Sequence, residues 1–238
     1  GKIPVADPQG AIFAMDFLLN EPRLKFVPAL EDRPSPTECF EFLQMLTTEV
    51  SPSSTTAKRF ENFAIRARRS MDMSEGGLMR AVASSLAHID ADFGVTADWK
   101  SLENEAIPAE IASAVTGPIL GAENVTGLGW VVVGSLANNS YDMGRIAAVF
   151  EPGGDDIYTW STLHTGNQGI IDLAGNDQYK GGDQQGPAGA ILGLSLIEDA
   201  AGDDQYSGPL LSCGAGMFGV GILIDRSGND RYHTGAWS

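Results

Sequence analysis

The chain has 238 residues, 43% of them hydrophobic, and its 31 acidic and 15 basic side chains give a formal charge of −16. This charge argues against a nucleic-acid-binding surface, because nothing offsets repulsion from the phosphates. The apolar fraction is too high for a disordered acidic tail, so a folded protein with cations as partners is expected. The 29 glycines exceed the roughly 17 expected from average usage and indicate many turns or close backbone contacts.

Neither the apolar runs nor the cysteines define the compartment. The longest apolar candidate, residues 11–19, is interrupted by Asp16, whereas a membrane-spanning helix needs about 20 apolar residues. Cys39 and Cys213 fit either one disulfide bond or two buried thiols. The chain begins with Gly rather than Met, which fits a processed N-terminus or a fragment.

Residues 1–115 are predicted to form a helical region. The sequence Ser35-Pro36-Thr37-Glu38 has the form of a capping box that starts a helix, and the breaker cluster 51–54 ends that helix. The apolar stripes are interpreted as core rather than as a ligand groove. Spacing of apolar residues predicts further helices and shorter helical pieces over 55–71, 77–89, 11–19 and 108–115.

Residues 116–238 follow a different pattern, with short apolar runs bounded by Gly, Asn and Asp that are typical of strands. The last 89 residues carry 12 acids, three bases and 18 of the 29 glycines. No run is long enough for a helix, and the spacing leaves no room for crossover helices. The predicted strands lie at 127–133, 146–150, 169–171, 191–197 and 220–224.

Four copies of the pattern acid-x-x-Gly-(Asp/Asn)-Asp-x-Tyr follow these strands. Their glycines are Gly154, Gly175, Gly202 and Gly228, which lie 21, 27 and 26 residues apart. A period in the twenties indicates stacked repeats in which each unit is one coil. The predicted fold is therefore α+β, with the N-terminal α-helical region 1–115 followed by a parallel β-solenoid over 116–238, of β-helix or β-roll type with about 4–5 coils.

The repeat also predicts a column of stacked tyrosines on one face of the coils, formed by Tyr158, Tyr179, Tyr206 and Tyr232. A packing role is favoured for them over a substrate platform. A degenerate earlier copy over 135–141 contains Asn138, Asn139 and Tyr141 but lacks the aspartates.

The acidic turns are predicted to bind a divalent cation between coils. Equivalent residues of stacked coils lie about 4.8 Å apart, where two like charges repel by roughly 3.5 kcal/mol at an effective dielectric of about 20. Carboxylate and amide oxygens are hard ligands that favour Ca²⁺. In the alternative interpretation, these side chains only hydrogen-bond their own turns. The candidate ligands are Glu151, Asp155, Asp156, Asp172, Asn176, Asp177, Asp199, Asp203, Asp204, Asp225, Asn229 and Asp230.

The segment Leu173-Ala-Gly-Asn-Asp-Gln-Tyr resembles the Gly-Gly-x-Gly-Asn-Asp-x-(apolar) repeats of RTX-type calcium-binding β-roll proteins, which bacteria secrete. It also resembles uncharacterised exported bacterial proteins with longer Gly-Asp/Asn-Asp-x-Tyr repeats. The resemblance covers residues 127–238. It implies carboxylate ligands at Asp156, Asp177, Asp204 and Asp230, and carbonyl ligands at Gly175, Gly202 and Gly228. Because Asp172, Asp199 and Asp225 stand where RTX repeats have glycine, the coordination geometry is expected to differ.

These features predict a secreted or cell-surface, calcium-binding structural or adhesive protein that is not an enzyme. The sequence stops soon after its last repeat without a capping helix. If this is the natural C-terminus, the open sheet edge is predicted to pair with another copy and to build filaments head-to-tail; if the chain is truncated, further coils are expected. The alternative is a carbohydrate-binding or carbohydrate-active β-helix that uses stacked aromatics or acids outside the repeat, such as Asp183 or Glu198. The expected partners are Ca²⁺, further copies of the chain, and polysaccharide or a cell surface, without a transmembrane segment.

Overall fold

The protein is mostly β, with a small N-terminal helical part. A computed structural model describes residues 3–20, 34–47, 53–70 and 94–236. The helices are α1 (Pro8–Asn20), α2 (Pro36–Thr47) and α3 (Ser54–Ser70), with a 3₁₀ turn at Trp99–Ser101. The predicted helix over 77–89 lies outside the described residues. None of the helices in the described segments is long and apolar enough to cross a membrane.

The capping box before α2 forms as predicted. The Ser35 N–H donates to Glu38 Oε2 at 2.8 Å, and the Glu38 N–H donates to Ser35 Oγ at 3.2 Å. Hydrogen bonds from Arg66 of α3, and from Ser35, lower the pKa of Glu38 to about 2. The Phe42 and Phe63 rings stack at 4.6 Å between the two helices, so α2 and α3 pack as a pair.

The predicted helical piece over 108–115 is wrong. The Ile111 N–H donates to the Pro108 carbonyl at 3.1 Å, and the Ala114 N–H donates to the Ile111 carbonyl at 2.8 Å. These bonds close four-residue turns, which end where Val115 enters a strand. An apolar segment of this length cannot nucleate a stable helix by itself, and here its apolar side chains pack into the β core instead.

The described strands are, in chain order, β1 (Pro4–Val5), β2 (Gly94–Val95), β3 (Val115–Thr116), β4 (Ile119–Val125), β5 (Gly129–Gly134), β6 (Ser140–Asp142), β7 (Ala148–Glu151), β8 (Ile157–Thr159), β9 (Gln168–Asp172), β10 (Gln178–Lys180), β11 (Ala190–Ile191), β12 (Leu194–Asp199), β13 (Gln205–Leu210), β14 (Gly216–Met217), β15 (Val220–Asp225) and β16 (Arg231–Ala236). Each predicted strand run overlaps one of them, and the run 191–197 is divided between β11 and β12. The hairpin of β4 and β5 was not predicted. The division into 1–115 and 116–238 stays a prediction.

Two mixed sheets of six strands form the β part. The first has the order β15-β12-β9-β7-β5-β4 and the second β16-β13-β10-β8-β6-β3. From β5 onward, apart from the two-residue strands β11 and β14, successive strands alternate between the sheets, and neighbours within a sheet are parallel. At one end of each six-stranded sheet the outermost strand is antiparallel to its neighbour: β4 pairs with β5 in the first sheet, and β3 pairs with β6 in the second. Tyr179 lies opposite both Tyr158 and Tyr206, so the sequence repeat places like residues beside one another.

The first sheet is covered on both faces, which explains its continuous apolar strands. On one face it packs against α1, through residues such as Met15 and Leu19. On the other face Val149 and Ile170 pack against the tyrosines of the second sheet. Every residue of β9 and β12 is buried as a result. Cys39 is buried in a third apolar cluster beside Phe63 and Ala67 of α3. Cys39 and Cys213 do not form a disulfide bond.

Candidate cation site at the acidic turns

Each acidic turn joins a strand of the first sheet to a strand of the second. The backbones of successive turns approach so closely that only glycine fits. A Cβ atom on Gly202 would lie 1.6 Å from the Gly175 carbonyl oxygen, and one on Gly175 would lie 1.8 Å from that of Gly154. This close approach brings the acids of neighbouring repeats together. The first acid of each repeat, here called the leading acid, is the last residue of its first-sheet strand: Glu151, Asp172, Asp199 and Asp225.

The predicted tyrosine column is confirmed, and it orients the leading acids. Successive rings from Tyr158 to Tyr232 lie 4.6–4.8 Å apart and within 8° of parallel. Tyr141 of the degenerate copy extends the column at 5.4 Å. The Tyr158 hydroxyl donates to Asp172 Oδ2 at 2.6 Å. Burial and the charge of Asp172 raise the pKa of Tyr158 well above its ordinary value, so this hydroxyl remains a donor.

The same bond recurs along the column. Tyr141 donates to Glu151 Oε2 at 2.5 Å, and Tyr179 donates to Asp199 Oδ2 at 2.6 Å. The other oxygen of Asp199 accepts the Ala201 N–H at 3.2 Å. Asp172 and Asp199 are therefore held from two sides, by a tyrosine and by the turn itself.

The first member of each Asp/Asn pair belongs to an exposed ladder, which we call the outer column. The backbone N–H of each member after the first donates to the side-chain oxygen of the corresponding member in the preceding repeat, at 2.9–3.1 Å. Asparagine and aspartate alternate, so two charged members are never adjacent. The outer column comprises Asn138, Asp155, Asn176, Asp203 and Asn229, all exposed.

The second member of each pair forms an inner column in which the hydrogen bonds run in the opposite direction. The Asp156 N–H donates to Asp177 Oδ1 of the following repeat at 2.6 Å, and the Asp177 N–H donates to Asp204 Oδ1 at 2.7 Å. Each aspartate of this column thus has one oxygen fixed by a backbone N–H. The inner column comprises Asn139, Asp156, Asp177, Asp204 and Asp230.

The second oxygens of the inner column are buried and have no partner. Oδ2 of Asp156, Asp177 and Asp204 makes no hydrogen bond among the described residues, and all three side chains are fully buried. A buried carboxylate oxygen without a partner is costly. These atoms therefore require a proton or a cation.

Inner-column residues and leading acids come together in three clusters whose carboxylate oxygens lie within 4.8 Å of one another. The clusters share Asp177 and Asp204, so they form one continuous row. Arg226, a basic residue of this region, instead pairs with Glu198 at 2.8 Å. The clusters are Asp156 with Asp172 and Asp177, Asp177 with Asp199 and Asp204, and Asp204 with Asp225 and Asp230.

The metal-free clusters hold protons more tightly than ordinary carboxyls. Burial, opposed by a backbone hydrogen bond, raises the pKa of Asp156 to about 6, of Asp177 to about 8 and of Asp204 to about 7. Burial and the charge of Asp177 also raise the pKa of Asp172. Like charges in a buried row thus disfavour full ionisation, and a bound cation would reverse that preference.

Seven of the twelve predicted ligands lie in these clusters. Asp155, Asn176, Asp203 and Asn229 belong to the outer column instead, and Glu151 lies beside Asp156 but outside the three groups. Sequence reasoning missed this division between the two members of each pair. The available signal was the alternation of Asp and Asn at the first position, against Asp in all four copies at the second.

Comparisons of the chain with protein-family models, with curated proteins and with solved structures find no match. The function must therefore be argued from the turns themselves. The buried carboxylate row is the feature of the described residues that carries the most specific chemistry.

Proposed function

We propose that residues 116–238 form a parallel β-solenoid that binds Ca²⁺ between its coils, in an exported structural or adhesive protein. The solenoid is supported by the alternation of the chain between two sheets with parallel, in-register neighbours. Five successive strand pairs, from β5/β6 to β15/β16, correspond to five coils. The tyrosine column, with one ring per coil, supports the same arrangement.

One observation carries the calcium proposal: each cluster contains a buried, partnerless carboxylate oxygen surrounded by further carboxylates. The turn N–H groups that could have paired with these oxygens already donate to other atoms, as Asp156 and Asp177 illustrate. The ligands are hard oxygens, without His or Cys in the clusters, which favours Ca²⁺ over zinc or copper. Magnesium is less suited, because it retains several waters in a near-ideal octahedron.

Ions in these clusters would act as clamps between coils. Asp177 and Asp204 each belong to two clusters, so every ion would tie a coil to the next through a shared ligand. A metal held in this way contributes its binding free energy to folding. This supports a load-bearing, non-enzymatic role. Secreted or cell-surface placement fits too, because extracellular calcium modules operate at 10⁻⁴–10⁻³ M.

Self-association is part of the proposal. β15 and β16 are the outermost strands at one end of the two described sheets, and Tyr232 exposes 51% of its surface there. An open strand edge can pair with another chain. Electron microscopy and light scattering with calcium and with chelator test this, and a monodisperse monomer in both conditions would contradict head-to-tail assembly.

The carbohydrate alternative gains no specific support. The rings of Tyr141, Tyr158, Tyr179 and Tyr206 are at most 1% exposed, so they cannot grip a sugar. Glu198, an acid outside the repeat, pairs with Arg226. Loss of polysaccharide turnover on mutation of one such acid remains the test of that alternative.

Calorimetric titration with Ca²⁺ tests the calcium proposal directly, using Asp177→Asn and a matched control, Asp155→Asn. Each variant removes one charge from a turn, but Asp177 belongs to two clusters and Asp155 to none. We expect D177N to lose most calcium binding and D155N to retain it. Absence of binding to the unmodified protein at millimolar Ca²⁺ would overturn the proposal, as would equal effects of the two variants.

A further inference from the structure

The framework that surrounds each cluster occurs once more, at the degenerate copy. Ser140 pairs with Ile157, so Asn139 lies one repeat before Asp156 in the inner column. Glu151 pairs with Asp172, so Glu151 occupies the leading-acid position. Asn139, Glu151 and Asp156 are thus related to one another as Asp156, Asp172 and Asp177 are in the first cluster.

The hydrogen bonds of this step repeat those of the clusters. The Asn139 N–H donates to Asp156 Oδ1 at 2.5 Å, as the Asp156 N–H does to Asp177 Oδ1. The Tyr141 hydroxyl donates to Glu151 Oε2 at 2.5 Å. Asn139 and Glu151 thus stand at positions where the first cluster has aspartates, and the hydrogen bonds around them are the same.

Each of the three side chains leaves one oxygen buried without a partner. These atoms are Asn139 Oδ1, Glu151 Oε1 and Asp156 Oδ2, which make no hydrogen bond among the described residues. The residues are 3%, 0% and 0% exposed. The Asn139 Nδ2 group donates to the Pro118 carbonyl at 2.7 Å, which fixes the amide so that its oxygen is the free atom.

The fold makes room for the longer glutamate. A Cβ atom on Gly134 would lie 1.8 Å from Glu151 Oε2 and 2.4 Å from the Tyr141 hydroxyl. Any other residue at Gly134 would displace the carboxylate from its tyrosine. The buried position of Glu151 is therefore built into the neighbouring strand.

We propose that Asn139, Glu151 and Asp156 bind a fourth divalent cation, of the calcium class. This site rests on the proposed function, because it shares Asp156 with the first cluster. Two carboxylates and one amide oxygen give it a formal charge of −2, against −3 for each all-aspartate cluster, so it is the weakest of the four and fills last.

Charge balance supports a fourth ion. The three clusters and Glu151 contain eight different carboxylates, with a formal charge of −8. Three divalent ions leave a charge of −2 on this row, whereas four neutralise it. An uncompensated buried charge is strongly disfavoured, and Glu151 is fully buried.

Native mass spectrometry of the full chain in saturating Ca²⁺ counts the ions. We expect four in the unmodified protein, three in Glu151→Gln and four in the control Asp155→Asn. Gln retains an oxygen that can accept from Tyr141 but removes the charge. Three ions in the unmodified protein would overturn the fourth site and leave the proposed function intact, whereas none would overturn both.

Four ions in both the unmodified protein and E151Q would overturn the assignment to Glu151. A second pair of variants covers the case in which E151Q does not fold. Asn139→Asp and Asn138→Asp add the same charge to adjacent residues, but only Asn139 belongs to the buried inner column. We expect N139D to tighten the weakest of the four ions at least about tenfold, with N138D unchanged; equal affinities in the two variants would contradict the proposal.

Discussion

Asp155 and Asp156 are adjacent, yet they belong to columns with opposite physical requirements. Asp155 lies in the outer column, is exposed, and has asparagines above and below it. Asp156 lies in the inner column, is fully buried, and has a further aspartate in the next repeat. Water and alternating amides solvate the outer charges, whereas the inner charges depend on protons or ions. An acidic sequence motif is therefore not one electrostatic environment but two.

Removal of calcium should have the largest effect on stability, because the inner column depends on the ion and the outer column does not. Each site at a hundredfold excess of Ca²⁺ over its Kd contributes about 2.7 kcal/mol. Chelation at neutral pH should therefore lower the melting temperature sharply, and the β part should be the first to unfold on heating. Circular dichroism during thermal unfolding, with Ca²⁺ and with chelator, measures this, and superimposable melting curves would refute it.

The stability of the chelated protein should fall as pH rises. The pKa of buried Asp177 is about 8 against an ordinary 3.8, so the folded state binds the additional proton between these values. The unfolding free energy then falls by about 1.4 kcal/mol per pH unit for each additional proton that the folded state binds. The loss begins near pH 4 and is complete near pH 8. Urea unfolding in chelator at several pH values measures this dependence. A free energy of unfolding that rises with pH over this range would contradict the prediction.

The effect of Asp177→Asn on the free energy of unfolding should change sign when calcium is removed. With Ca²⁺ present the substitution removes a shared ligand, and we expect a loss of about 3 kcal/mol. In chelator at pH 8 the same substitution removes a buried like charge and should stabilise the protein. Asp155→Asn, in the outer column, should have an effect within about 0.5 kcal/mol in both conditions. Denaturant unfolding of both variants supplies the four values.

Tyr179→Phe should have a smaller effect than Asp177→Asn. It deprives buried Asp199 of a hydrogen bond of 2.6 Å, at a cost of about 1–2 kcal/mol. Tyr232→Phe removes the 2.9 Å bond to Asp225 at the exposed end of the column and should cost less than Y179F. Negligible losses in both variants would show that ring stacking, not acid positioning, is the main contribution of the column.

The repeated elements could be predicted from the sequence because each repeat supplies the same residues at the same spacing. The tyrosine column and the glycine turns follow from this periodicity. Gly202 must be glycine because its Cβ would strike the Gly175 carbonyl, and periodic stacking places the two in register. The helix that begins after Ser35 was likewise predictable, because a capping box is a local interaction.

The remaining features were decided by tertiary contacts. Residues 108–115 have helical spacing, but Ile111 and Val115 enter the β core and the segment forms turns. Asn139 looks like a lost ligand in the sequence, and only its burial in the inner column reveals a partnerless oxygen. By itself the sequence determined the repeat and its excess of acid. Which carboxylates lose their water depends on the packing of one repeat on the next, and that desolvation, rather than the acid count, creates the need for a cation.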